Sequence, residues 1–195
     1  MPTPARRYPA ASTIGSTGYV YGGYTGSNLQ DCDSWDESSG ASDTNMPTPG
    51  RHAPAASTIG STGYVYGGCG TNFLRDCDSW DGTSWANKTN MPAPGRSSLA
   101  ASTIGSTGYV YGGYDGSYFR DCDSWDESSW ASETNMPTPG RYAPAASTIG
   151  STGYVYGGYD GSCRLQDCDS WDESSWASEA DMPTPGRHHL AASTI

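Results

Sequence analysis

Residues 136–181 open Met136-Pro-Thr-Pro-Gly-Arg141-Tyr-Ala-Pro-Ala-Ala-Ser-Thr-Ile149-Gly-Ser-Thr-Gly-Tyr-Val-Tyr156-Gly-Gly158. A loop then leads to Asp167-Cys168-Asp169-Ser170-Trp171-Asp172 and to a second tryptophan, Trp176. The same text begins at Met1, Met46 and Met91, and a partial copy begins at Met182, at spacings of 45, 45, 45 and 46. The arginine recurs as Arg6, Arg51, Arg96, Arg141 and Arg187. The isoleucine recurs as Ile14, Ile59, Ile104, Ile149 and Ile195. Glycine pairs stand at Gly22-Gly23, Gly67-Gly68, Gly112-Gly113 and Gly157-Gly158. Trp35, Trp80, Trp125 and Trp171 are followed by Trp85, Trp130 and Trp176, with Gly40 in the first copy. The extra residue of the fourth copy falls between Gly158 and Asp167. The chain is therefore one repeat domain, 1–195, with copies at about 1–45, 46–90, 91–135 and 136–181 and a partial copy at 182–195. A unit this short cannot bury its own core and must pack on its neighbours.

Four short strands fit each copy. Ala-Ala-Ser-Thr-Ile is the first, with small side chains that tolerate crowding near an axis. Gly-Ser-Thr-Gly reads as a tight hairpin connection. Tyr-Val-Tyr is the second strand, built of β formers, and the glycine pair ends it where positive φ or close backbone approach is needed. Asp-Cys-Asp-Ser-Trp is the third, with Cys and Ser on one face and Asp and Trp on the other. After Asp-Glu-Ser-Ser, a fourth strand starts at the second Trp and runs to Met-Pro, where proline ends ladder pairing. Four strands at this period suit a propeller blade better than a stacked solenoid.

The order of arginine, small-residue strand, Tyr-Val-Tyr-Gly-Gly and then tryptophan before Met-Pro resembles the kelch repeat, over essentially the whole chain. One departure is that Trp80 and Trp125 take the place of a kelch tyrosine, with a shorter hairpin to the next Trp. The resemblance implies an all-β chain of kelch-like β-propeller blades, four of them, plus an extra first strand at 190–195. Kelch propellers more often have six or seven blades, so an open or partial propeller is expected. They are mostly protein-interaction modules, with some enzymes and glycan binders among them. Function must still be argued from a site.

Composition excludes several classes. With 21 acidic and 10 basic residues the formal charge is −11, which repels nucleic acid and anionic membrane surfaces. No apolar run approaches the roughly 20 residues of a membrane span. No apolar segment follows Met-Pro-Thr-Pro-Ala-Arg-Arg, so no secretory signal is visible. Cys32, Cys77, Cys122 and Cys168 share one register on the third strand. Neighbouring sheets stack about 10 Å apart, beyond the roughly 7 Å Cα limit of a disulfide. These four read as buried free thiols, and Cys69 and Cys163 as loop thiols. Free thiols without a signal favour the cytoplasm.

No zinc pattern occurs. The acidic string exemplified by Asp121, Asp123 and Asp126 could attract Ca²⁺, but solvated strand and turn carboxylates are the simpler reading. His52, His188 and His189 build no hydrolytic triad. Copper-radical oxidases of kelch-like form need Tyr, Cys and two His at the axis, which adjacent histidines on a terminal arm do not supply. Asn87-Lys88-Thr89 is a chance sequon. The recurring arginine reads as structural, bonding to carbonyls or to an Asp of an adjacent strand. No metal, cofactor or catalytic residue is expected.

The copies differ in two places: just after the arginine, and after Gly-Gly. In an up-and-down blade both places emerge on one rim, while the unvarying Gly-Ser-Thr-Gly turns emerge opposite. The rim candidates are Tyr8, Tyr24, Leu29, His52, Asn72, Phe73, Arg75, Tyr114, Tyr118, Phe119, Arg120, Tyr142, Tyr159, Arg164 and His188. Aromatics and arginine are the residue types of binding hot spots. The expected function is a non-enzymatic binding module for a protein partner. The alternatives are a structural or adhesive repeat array in a surface, virion or fibre assembly, self-associating through open strand edges, and a glycan-binding propeller.

Overall fold

In the computed structural model, residues 5–193 are described. They are all-β, with no helix among them and four antiparallel four-stranded sheets. Sheet 1 holds β1 (Ala10–Ile14), β2 (Thr17–Tyr21), β3 (Cys32–Trp35) and β4 (Gly40–Ser42). Sheet 2 holds β5 (Ala55–Ile59), β6 (Thr62–Tyr66), β7 (Cys77–Trp80) and β8 (Trp85–Asn87). Sheet 3 holds β9 (Ala100–Ile104), β10 (Thr107–Tyr111), β11 (Cys122–Trp125) and β12 (Trp130–Ser132). Sheet 4 holds β13 (Ala145–Ile149), β14 (Thr152–Tyr156), β15 (Cys168–Trp171) and β16 (Trp176–Ser178). Within each sheet the strands lie in sequence order. By internal packing the chain forms two compact units, residues 1–97 with sheets 1 and 2 and residues 98–195 with sheets 3 and 4.

The first hairpin turn is tighter than expected. Ile14 pairs with Thr17, so only Gly15 and Ser16 turn the chain, and Thr17-Gly18 already belong to β2. Gly15 has φ +59, the left-handed value that a two-residue hairpin needs at its first turn position. The fourth strand is also shorter than expected, only three residues in each sheet. The predicted extra first strand does not form over its described residues, 190–193. Thr194 and Ile195, like residues 1–4 of the first Met-Pro segment, lie outside the described residues.

Each sheet is apolar on both faces, and period-2 alternation assigns the faces. In sheet 1, Tyr19, Tyr21 and Cys32 face sheet 2, whose Val65 and Trp80 complete the core with Met46. In residues 98–195, Tyr109, Tyr111, Cys122 and Ile104 meet Val155 and Trp171 with Met136. Trp80 lies edge-on to Tyr19 at 6.2 Å, and Trp85 edge-on to Tyr21 at 5.6 Å. The Tyr111–Trp176 pair repeats this at 5.8 Å. Burying one such ring removes roughly 150–250 Å² from water, which dominates the packing between sheets at about 25 cal/mol per Å². The second tyrosine of each β2-type strand bonds a serine of its own sheet, as Ser57 Oγ with Tyr66 Oη at 3.1 Å and Ser102 Oγ with Tyr111 Oη at 3.0 Å, while Tyr109 Oη donates to Glu173 Oε1 at 3.0 Å.

Candidate functional site

Residues 46–51 and 136–141, which precede β5 and β13, are arms that cross from one sheet to the next. Arg51 N–H donates to Leu29 O at 2.9 Å, and Gly23 N–H donates to Arg51 O at 2.9 Å. Arg141 N–H to Phe119 O (2.9 Å) and Gly113 N–H to Arg141 O (3.0 Å) repeat the stitch in residues 98–195. This explains the first glycine of each pair. A Cβ on Gly112 would stand 2.7 Å from Arg141 O, and φ there is +61.

The arm arginine then turns inward. Arg141 Nη2 donates to Asp169 Oδ2 at 2.6 Å, with side chains 0% and 3% exposed. Arg51 pairs with Asp78 and Arg6 with Asp33 in the same way. The structural reading of the recurring arginine is therefore what the geometry displays. Burial pushes the Asp78 carboxyl up against the pull of Arg51.

These contacts also disperse the acidic string. Asp33 is held by arginine, while Asp31 lies 3.5 Å from Arg6. Asp36 caps its own turn, accepting from Ser38 N–H at 3.0 Å and Ser39 N–H at 2.8 Å. Those bonds lower the Asp36 carboxyl to about 2. Arg6 thus serves both Asp31 and Asp33, while Asp36 is taken up by its own turn.

Beyond the glycine pair, the chain makes a small hairpin. Tyr24 bridges Asn28, Cys69 bridges Phe73, and Tyr114 bridges Tyr118. In the fourth copy Tyr159 bridges Arg164, so the extra residue is absorbed at the hairpin tip. The residue after the arm arginine pairs on the other side, as Arg7↔Tyr24, His52↔Cys69 and Tyr142↔Tyr159. The two variable stretches of a copy are thereby brought together.

In residues 1–97 the rim gathers Tyr8, Tyr24 and His52. The Arg7 guanidinium lies 5.5 Å over the Tyr8 ring and 5.1 Å over the Tyr24 ring. His52 sits 5.5 Å from Tyr24, and its Nδ1 is 2.7 Å from Asn28 Oδ1. Burial, then the charge of Arg7, holds His52 below its usual value. Phe73 and Asn72 are exposed at the next hairpin.

In residues 98–195 the rim gathers more rings. Tyr114 lies 5.2 Å from Tyr118 and 5.7 Å from Tyr142, and Tyr118 lies 5.9 Å from Tyr159. His188 and His189 join at Tyr142, with centroids at 6.4 and 5.3 Å. Arg164 Nε donates to His188 Nδ1 at 3.3 Å.

Four candidates also hold the arm. Arg75 and Arg120 donate through Nε to Met91 O and Met136 O at 2.6 Å, pinning the arm. Leu29 and Phe119 are half-buried, and their carbonyls receive the arm arginine. Three rim residues outside the candidate set are Arg7, Asn28 and His189. Each lies in a variable stretch; Arg7 and Asn28 bridge Tyr24, and the His189 ring lies 5.3 Å from that of Tyr142.

All six cysteines are free, with Cys32, Cys77, Cys122 and Cys168 buried, Cys69 half-buried and Cys163 exposed. Burial pushes the Cys32 and Cys77 thiols far up. Native protein is expected to expose Cys163 and then Cys69 to a thiol reagent, and the other four only on denaturation. Rapid reaction of all six in the native state would contradict this burial.

Among solved structures, the chain is similar to that of YjhT, at a TM-score of 0.84 and 14% identity, covering 96% of this chain and 74% of that one. At this identity the likeness shows the fold alone. No family model and no curated protein matches the chain.

Proposed function

We propose that this chain is a kelch-like β-propeller array that serves as a non-enzymatic binding module, with a protein partner seated on the loop rim. One observation carries the reading. The copies agree in what builds the sheets and differ at the residues that the Arg7↔Tyr24, His52↔Cys69 and Tyr142↔Tyr159 bridges bring together. Loops on a rigid scaffold are the usual place for recognition, and tyrosine supplies large contact area at low entropic cost.

The structural-array reading has its own support. Trp35 is 49% exposed and Ile149 is 62% exposed, where their counterparts Trp80 and Ile59 are buried. Such apolar faces suit association of copies.

A photo-crosslinking residue placed at Phe73 or Tyr118, and for comparison at Ser106 in the unvarying turn, separates the two readings. Binding through the rim should give a defined protein adduct from Phe73 or Tyr118 and none from Ser106. Replacing Tyr24, Phe73 and Tyr118 by Ser should lower its yield by about tenfold, the effect of losing about 1.4 kcal/mol of hot-spot contact. Adducts arising only from Ser106, or only between copies of the chain, would overturn the rim reading.

A further inference from the structure

We propose that the Tyr114, Tyr118, Tyr142 and Tyr159 cluster receives a cationic side chain, a guanidinium or alkylammonium, from a basic segment of the partner. The inference rests on the rim reading and adds the chemistry of the ligand.

The first support is an internal precedent. Arg7 and Tyr142 hold equivalent places: each follows an arm arginine, and each bridges the residue after a glycine pair. In residues 1–97 that place supplies a cation lying over Tyr8 and Tyr24 at 5.5 and 5.1 Å. In residues 98–195 the same place supplies another ring. The fold has thus shown that this corner accommodates a guanidinium on tyrosine faces, and in the second unit the chain contributes rings instead of the cation.

The second support is ring geometry. Tyr114–Tyr142 and Tyr118–Tyr159 meet at 81° and 74°, and Tyr114–Tyr118 at 54°. An edge-to-face pair occupies one face of only one of its two rings, and the negative face of a tyrosine is what attracts a cation within about 6 Å of its centroid. Gly161 allows the arrangement, because a Cβ there would come within 2.7 Å of the Tyr118 ring.

The third support is charge. Asp115 follows Tyr114 and Asp160 follows Tyr159. Both are fixed by local bonds, from Ser117 N–H to Asp115 Oδ1 at 3.1 Å and from Ser162 N–H to Asp160 Oδ1 at 2.7 Å. The basic groups beside the rings are Arg164, His188 and His189, and Arg164 is engaged with His188. A formal charge of −11 draws basic segments toward the whole surface.

The test uses the whole chain and two probes, a short Gly/Ser peptide carrying several arginines and the same peptide with citrulline at each arginine. Citrulline keeps the shape and removes the charge. Titration calorimetry, with tyrosine ring shifts followed by NMR, should show the arginine peptide binding about 5- to 30-fold more tightly, the range of a desolvated cation–ring contact. Tyr118→Leu and Tyr159→Leu should each weaken it severalfold. Tyr142→Arg, which installs the cation that Arg7 supplies in the other unit, should abolish it, with the melting temperature of each variant unchanged. Equal binding of the two peptides, no binding of either, or arginine binding that survives all three variants would overturn the proposal. The last result would mark general attraction to an acidic surface. A rim crosslink to a partner without charge preference would leave the rim reading standing while this proposal falls. A crosslink confined to Ser106 would remove the rim reading itself.

Discussion

Arg141→Met, with Asp169 left in place, is expected to lower the stability of the chain by about 3–5 kcal/mol, the cost of leaving a buried charge without its partner. Asp169→Asn should cost a similar amount, because the guanidinium is then the stranded charge. Changing both, as Arg141→Met with Asp169→Leu, should cost less than either single change. The reason is desolvation. Both side chains are almost wholly out of water, at 0% and 3% exposure. Arg141 Nε finds no acceptor among the described residues, so the attraction between the charges is set against an incomplete set of hydrogen bonds. The equivalent Asp78 points the same way, since its burial outweighs Arg51 in moving its carboxyl upward. A carboxyl held above its unfolded value of about 3.9 favours folding at lower pH and loses that contribution as pH rises through the folded value. The ion pair therefore specifies where the arm arginine goes more than it stabilises the sheet. Chemical denaturation of the three variants measures the coupling. Additive costs would show that the two groups do not act as a pair.

The second large effect is expected at the stitch. Gly112→Ala should destabilise by about 2–5 kcal/mol, from left-handed backbone strain of about 1–2 kcal/mol and loss of a buried hydrogen bond worth about 1–3. The new methyl would face Arg141 O at 2.7 Å and Met136 Cε at 3.2 Å, displacing the arm that Gly113 N–H holds at 3.0 Å. Gly105→Ala separates the two causes. Its φ of +57 nearly equals the +61 of Gly112, but nothing lies within 4 Å of its added Cβ. It should cost only the conformational part, about 1–2 kcal/mol. Equal losses in the two variants, read as denaturation midpoints, would mean that close approach to the arm does not matter.

These two cases show how the rim is held in place. The arm arginine anchors one sheet through its side chain and the preceding sheet through its backbone, so the residue that follows it is delivered to the hairpin beyond the glycine pair. Variation at Arg7, His52 and Tyr142 then changes the chemistry of the rim without changing its backbone bridges.

Much of this was already determined by the sequence, because it depends on local periodicity. The 45-residue period, the strands around Ala-Ala-Ser-Thr-Ile, Tyr-Val-Tyr and Cys-Asp-Ser-Trp, and the shared register of four cysteines follow from side chains alternating every second residue. The pairing of the two variable stretches on one rim was also legible, since up-and-down strand order puts both connections at the same end. Tertiary structure decided the rest. Arg75 and Arg120 look like rim residues in the sequence, yet a carbonyl 16 residues away claims each Nε. The acidic string reads as solvated carboxylates, yet Asp33 is buried and goes to an arginine 27 residues earlier, while Asp36 goes to a turn three residues later. The predicted strand at 190–195 has the right letters but forms no strand over 190–193, although the same letters form β1, β5, β9 and β13. Trp35 and Trp80 are the same residue in the same register, 49% and 1% exposed. Alternation tells which face a side chain takes, and only the sheet packed against that face decides whether it meets water.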